Sequence, residues 1–164
     1  MAVTAADIKA YLTGGGANTD PNLSLGGATS ATEINAASLN NLFNYVSEVE
    51  AAAGSVKYRA FIIKNTSAST WYGVMAWLSG VTVSANSSIA IVLDDGAAQA
   101  IADEDTAPVG LAAFSAPATK DTGLSLGDMV AGAEIMVWVQ RTVTAGAAIC
   151  ADDIDLAFEG GNAP

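Results

Sequence analysis

From Lys57 onward the chain alternates apolar and polar residues, and this period of two constrains the fold more than any other feature. Its longest stretch sets Ile135, Val137, Val139, Arg141 and Val143 against Glu134, Met136, Trp138, Gln140 and Thr142. Such a period places successive side chains on opposite faces of a strand. Strands are predicted over Tyr58 to Lys64, Trp71 to Leu78, Ser88 to Leu93, Ala133 to Val143 and Asp152 to Glu159, with weaker ones near Gly80 to Ser84 and Gly110 to Phe114. In the last strand Ile154, Leu156 and Phe158 alternate with Asp153, Asp155 and Glu159, one face inward and one wet. Turn formers separate the runs, at Asn65 to Ser69, Asn86-Ser87, Asp94-Asp95-Gly96 and Ala145-Gly146. No helical crossover lies between consecutive strands, which disfavours parallel pairing and predicts an antiparallel sandwich of about seven strands. The glycine-bounded run Gly123 to Gly132 reads as the place where the chain crosses from one sheet to the other, its leucines plugging the end of the core.

The first third of the chain is different. Residues 1–29 read as an N-terminal arm, 30–54 as an amphipathic helical segment and 55–164 as the sandwich. Within the arm, Ala5, Ile8 and Leu12 have near-helical spacing, and Thr4 with Asp7 resembles a capping box, so a short helix ending at Gly14 is predicted. The stretch from Tyr11 to Gly27 is polar and broken by glycine. It has too little apolar area, at about 25 cal/mol per Å², to offset an ordering cost of about 1 to 2 kcal/mol per residue. Gly14 to Gly27 is therefore expected to be disordered in the free chain and ordered on a partner, and Met1 to Gly27 to be dispensable for the sandwich, with Tyr11, Leu12, Asn18, Asp20, Pro21, Leu23 and Leu25 as the gripping residues. In the second segment Ser30 or Thr32 would cap a helix running to about Ala53. Ile34, Leu39, Leu42, Phe43, Val46 and Val49 form its apolar face, and Gly54 stops it.

Charge and composition exclude several classes. Seventeen acids against six bases give a formal net charge of −11, which argues against nucleic acid and anionic membranes as partners. Lys57, Arg59 and Lys64 read as solvated edge charges that deter sheet aggregation. No run approaches a membrane span, and Met1 to Thr4 lacks the basic start of a secretory signal, so synthesis in the cytoplasm is expected. Cys150 is the sole cysteine and reads as a small buried hydrophobe; no intrachain disulfide or multi-cysteine metal site is available.

Catalytic chemistry finds little equipment. With no histidine and no Gly-X-Ser-X-Gly elbow, a serine triad is excluded. Gly14-Gly15-Gly16 lacks the Gly-Lys-Ser/Thr ending of a phosphate loop and reads as a hinge. Asp94-Asp95, Asp103-Glu104-Asp105 and Asp152-Asp153-Asp155 could offer oxygen ligands to Ca²⁺, but none has the spacing of a calcium loop, and solvated loop acids are the preferred reading. No catalytic residue, cofactor or metal is therefore expected, and the chain reads as a non-enzyme. Trp71, Tyr72, Trp77 and Trp138 read as core or interface anchors rather than a sugar platform, with Trp71, Tyr72 and Trp138 as candidate interface aromatics. Apolar residues on both faces of Trp71 to Leu78 predict a homo-oligomer, a trimer being favoured.

Several stretches resemble small virion structural proteins of tailed bacteriophages, capsid decoration (cement) proteins in particular. They are the opening Tyr11 to Gly27, the Asn-rich Ser38 to Glu50, the strand Tyr58-Arg59-Ala60-Phe61-Ile62-Ile63-Lys64-Asn65-Thr66, and Trp138-Val139-Gln140-Arg141-Thr142-Val143. The resemblance implies a mainly β, Ig-like or jelly-roll-like antiparallel sandwich with an extended N-terminal arm and a short helix. It further implies a protein made in the host cytoplasm that binds the major capsid protein on the outside of the phage head and stabilises the shell. The alternatives are a tail, neck or fibre component, or a carbohydrate-binding adhesion module.

Overall fold

Among the described residues, eight strands form two antiparallel sheets that pack face to face. The computed structural model describes residues 2–35, 40–83, 86–149 and 153–163. In chain order the strands are β1 (Ile8–Thr13), β2 (Thr29–Glu33), β3 (Ser55–Asn65), β4 (Trp71–Thr82), β5 (Ser87–Leu93), β6 (Leu124–Met129), β7 (Glu134–Val143) and β8 (Asp153–Gly161), with one helix, α1 (Glu48–Ala53). The larger sheet has the order β2-β1-β3-β7-β5 and the smaller β6-β4-β8. The mainly β, antiparallel sandwich predicted from the alternation is therefore the fold.

The core follows the alternation. Phe61, Ile63, Val137, Val139, Ile89 and Ile91 from the larger sheet meet Trp71, Val74, Ala76, Leu78, Leu126 and Met129 from the smaller, with Ile135, Leu156 and Phe158 packed at the margin. The larger sheet is also covered on its other face, where Tyr58, Ala60, Ile62, Val92, Met136 and Trp138 are buried against Tyr11, Ile101, Leu111 and Phe114. A sheet covered on both faces needs apolar residues at every position, and Phe61-Ile62-Ile63 and Met136-Val137-Trp138-Val139 meet that need.

The arm supplies part of this second cover. Residues 8–13 do not form a helix; the Thr4 backbone N–H and hydroxyl both donate to the Asp7 carboxylate, at 2.8 and 2.7 Å, but only the single turn Ala5–Asp7 follows. The chain then extends into β1, which lies between β2 and β3. Beyond it, Gly14 to Gly27 folds back over the sheet instead of projecting as a free tail. The Ala60 and Ile101 N–H groups donate to the Ser24 and Leu25 carbonyls, at 2.8 and 2.9 Å. The buried Ser24 hydroxyl donates to the Ala60 carbonyl at 2.7 Å and accepts from the Thr13 N–H at 2.8 Å. Hydrogen bonds made inside the chain replace the apolar area that the arm lacks.

The long helix predicted over 30–54 is largely absent. Its first residues form β2, where β-branched Thr29 and Thr32 suit an edge strand beside β1. Asn40 has φ of 56°, a left-handed conformation that no helix interior accommodates. Helix survives only in α1, where Ser47 and Glu50 form a reciprocal capping box and Gly54, at φ 80°, ends it. Leu42 and Val46 are still buried, but Val49 is exposed. Two smaller expectations also change. The run from Gly123 to Gly132 is mostly strand, β6 paired with β4 in the smaller sheet, and the expected crossing to the larger sheet is confined to the short link from Val130 to Ala133 that leads into β7. Residues 110–114 form no strand; only the adjoining Ser115 bridges to Ile91. Leu39, Cys150 and Asp152, each given a role from sequence, lie outside the described residues.

Candidate partner-binding surface

The sequence-predicted grip residues are mostly spent inside the molecule. Leu12 is buried, and Tyr11 packs on the outer face of the larger sheet. Asn18 donates to the Thr13 carbonyl at 2.6 Å, while its own carbonyl accepts from the Ser30 and Thr32 hydroxyls at 2.5 and 2.7 Å. Asp20 caps the turn Pro21–Leu23, accepting from the Asn22 N–H at 2.9 Å. Pro21 and Leu25 are half-buried, and Leu23 is 58% exposed. Thus Leu23 is the residue of this set with most of its apolar surface left to offer.

The aromatics divide in the same way. Trp138 has no exposed surface, and its indole N–H donates to Asp94 Oδ2 at 3.0 Å, so it is a core anchor and not an interface residue. Asp94 also accepts from the Gly96 and Ala98 N–H groups, at 3.0 and 2.9 Å. This carboxylate, weighed above as a calcium ligand, instead organises the turn that holds Trp138. Asp103 likewise binds its own loop, accepting from the Asp105 N–H and the Thr106 hydroxyl. Trp71 faces the core and is nearly buried. Tyr72, on the opposite side of β4, is half-buried and remains accessible, as do Met75 and Trp77 farther along that strand.

A cluster of charges at one end of the sandwich was missed by reading β3 as an edge. β3 lies between β1 and β7, and its register places Lys57 opposite Arg141. Arg59 and Arg141 are 2% and 1% exposed. Lys57 lies 3.0 Å from Glu50 and 2.6 Å from Glu104, Arg59 pairs with Glu104, and Arg141 lies 3.0 Å from Glu50. The ring of Phe43 sits between the two guanidinium groups, its centroid 5.5 Å from Arg59 and 5.0 Å from Arg141. Burial by itself raises the Glu50 carboxyl. Hydrogen bonds from the Ser47 backbone, Lys57 and the Ser47 hydroxyl, with the Arg141 charge, outweigh it and hold the group at about 2. Glu104 is also lowered, burial again opposing the effect of Lys57 and Arg59. The cluster ties α1 and the Glu104 loop to β3 and β7. One signal for it was legible, since the alternation that turns Val137 and Val139 inward turns Arg141 inward too.

Single exposed apolar side chains such as Leu23, Val49 and Val109 are scattered over the molecule, whereas the smaller sheet presents a row of them. Along β4, Tyr72, Met75 and Trp77 face away from the core, with Ala157 of β8 opposite Trp77. β8 pairs with β4 and with no other strand among the described residues. Its core-facing Ile154, Leu156 and Phe158 are only half-buried, whereas Val74, Ala76 and Leu78 of β4 are 0 to 3% exposed. Where β8 ends, a groove of about 400 Å³ opens, lined by Val3, Ile8, Trp71, Phe158 and Asn162 among others. The Val3 N–H donates to the Asn162 side chain there at 2.6 Å. Among the described residues no cluster of acidic, histidine or cysteine side chains is arranged to hold a metal, and no helix is long and apolar enough to cross a membrane.

Compared with protein-family models, curated proteins and solved structures, the chain matches none.

Proposed function

We propose that this chain is a non-enzymatic virion structural protein of a tailed bacteriophage, binding the outer surface of the capsid as a decoration or cement protein. The observation that carries the reading is the smaller sheet, which combines a half-buried outer row of Tyr72, Met75 and Trp77 with an apolar margin at β8 that no other described strand covers. A surface of that kind is stabilised by being covered, and repeated copies on a lattice would clamp neighbouring subunits. The major capsid protein is the proposed partner. Self-association through the Met75 and Trp77 face, giving a trimer, accompanies this reading. The acidic net charge fits contact with protein on the outside of the shell better than contact with packaged DNA.

Folding of the arm onto its own sheet moves the proposed grip from Tyr11 to Leu25 toward β4 and β8. The test compares thermal DNA release from heads with and without the protein, together with its copy number relative to the major capsid protein in purified virions. Earlier release from protein-free heads and a high copy number are expected. Localisation to tails would replace this reading with a tail, neck or fibre component. Binding of soluble glycans at Tyr72 and Trp77, without binding to heads, would replace it with an adhesion module.

A further inference from the structure

We propose that the free edge of β8 takes up an extended segment of the protein this chain binds, as an added strand, and that the segment alternates apolar residues with Lys or Arg. The inference rests on the capsid-binding reading only for the source of that segment.

Three features of the edge define the occupant. The first is the backbone. β8 runs from Asp153 to Gly161 and, among the described residues, has β4 on one side alone, so alternate N–H and C=O groups on the other side face outward as a template for pairing. The second is apolar. Ile154, Leu156 and Phe158 point toward the core yet stay only half-buried, because no described strand pairs beside them as β8 pairs beside β4. An added strand would cover them, and an apolar side chain at its end would enter the groove lined by Val3, Ile8, Trp71 and Phe158.

The third feature is charge. Asp153, Asp155 and Glu159 are exposed along β8. Glu159 is matched by Lys120 at 2.5 Å, but Asp153 and Asp155 form no ion pair among the described residues. Cross-strand neighbours lie close enough for opposite charges to stabilise and like charges to destabilise a pair. A second copy of β8, paired antiparallel about Ala157, would set Asp155 against Glu159 twice. The acids that oppose self-pairing therefore favour a basic strand from a different protein, and the net charge of −11 assists its approach.

The test uses the full chain and two synthetic peptides of equal length, one alternating lysine with valine and one alternating glutamate with valine. Calorimetric titration and amide exchange are expected to show binding of the lysine peptide alone, weakened by salt, with new protection in residues 153–161. The double variant Asp153→Lys/Asp155→Lys changes exposed side chains, and its urea melt verifies folding. It should lose affinity for the lysine peptide by about tenfold or more and gain affinity for the glutamate peptide. Equal affinity for both peptides, protection outside β8, or indifference to the double variant would overturn the proposal. Concentration-dependent protection of β8 without peptide would also overturn it, by making a second copy the occupant. Binding of both proteins to bare heads separates the two readings. Peptide capture at β8 without binding to heads removes the capsid reading and leaves the edge. Equal binding of wild type and double variant to heads, without peptide capture, removes the edge and leaves the capsid reading.

Discussion

Gly26 lies directly against the indole of Trp138. A Cβ built on Gly26 would come within 2.8 and 2.9 Å of two ring carbons and would overlap the Gln99 carbonyl oxygen. Gly26 has φ of 88°, which L side chains adopt only under strain, and it bridges to Ala100 in the loop beyond β5. The crossing of arm and loop over this indole leaves Trp138 without exposed surface. The glycines of the arm thus serve close packing in at least one place, and not only flexibility.

Gly26→Ala should cost about 2 to 4 kcal/mol, combining overpacking with left-handed strain. Gly15 has a similar φ of 97° but no atom within 4 Å of its Cβ position. Gly15→Ala should therefore cost about 1 kcal/mol. Urea melts followed by tryptophan fluorescence make the comparison. Equal losses would mean that the contact with Trp138 is unimportant.

Removing residues 1–27 should abolish cooperative unfolding. The truncation deletes β1, which pairs with both β2 and β3, and strips the Ser24 and Gly26 cover from the larger sheet. Exposed Ala60, Ile62 and Trp138 should bind a hydrophobic dye. A truncated chain with a sharp melt near that of the full protein would restore the reading of an independent arm.

Glu50 should make stability depend on acid. Its folded pKa of about 2 lies below the ordinary value of 4.5, so its contribution is complete above about pH 4.5 and is lost as pH falls through 2. Discounted for solvent screening, the contribution is about 2 kcal/mol. Glu50→Gln leaves the buried Arg141 without its carboxylate, so the loss should be present at pH 7 and shrink toward pH 2. Stability of wild type and variant in urea from pH 7 to pH 2 checks this. A gap that stays constant across that range would rule it out.

What the sequence made legible was mostly periodicity. The strands β3, β4, β5, β7 and β8 lie where alternation of Val, Ile and aromatic residues with polar ones places them, and Gly54 ends α1 as read. The mistakes share a physical cause. Spacing in Val3 to Leu12 and Ile34 to Val49 describes which residues are buried without saying what backbone buries them, and irregular chain buried Leu42 and Val46 as effectively as a helix would. Position within a sheet is not periodic information either. Lys57 and Arg59 read as edge charges because nothing local reveals that β1 pairs beside β3. Asp153 and Asp155 were legible as an outward row on a wet face, but that β8 has no second neighbour among the described residues is a property of topology. For the binding surface, Tyr72 is accessible, whereas Trp138 and most of the arm residues are claimed by a layer formed through distant contacts.

The two ends of the core should respond to truncation in an order opposite to side-chain size. Val139 has no exposed surface and is surrounded by both sheets, so Val139→Ala leaves a cavity that cannot fill with solvent and should cost about 2 to 3 kcal/mol. Phe158 is larger, and a fully buried phenylalanine would lose about 3 to 5 kcal/mol on truncation. It stands half-exposed at the margin of β8, where water already reaches part of the ring and the neighbouring chain can close in. Phe158→Ala should therefore cost about 1 to 2 kcal/mol, less than the smaller residue. Urea melts of the two variants give the order directly. A greater loss for Phe158→Ala would mean that the β8 margin is a closed part of the core, and the apolar argument for an added strand would fall with it.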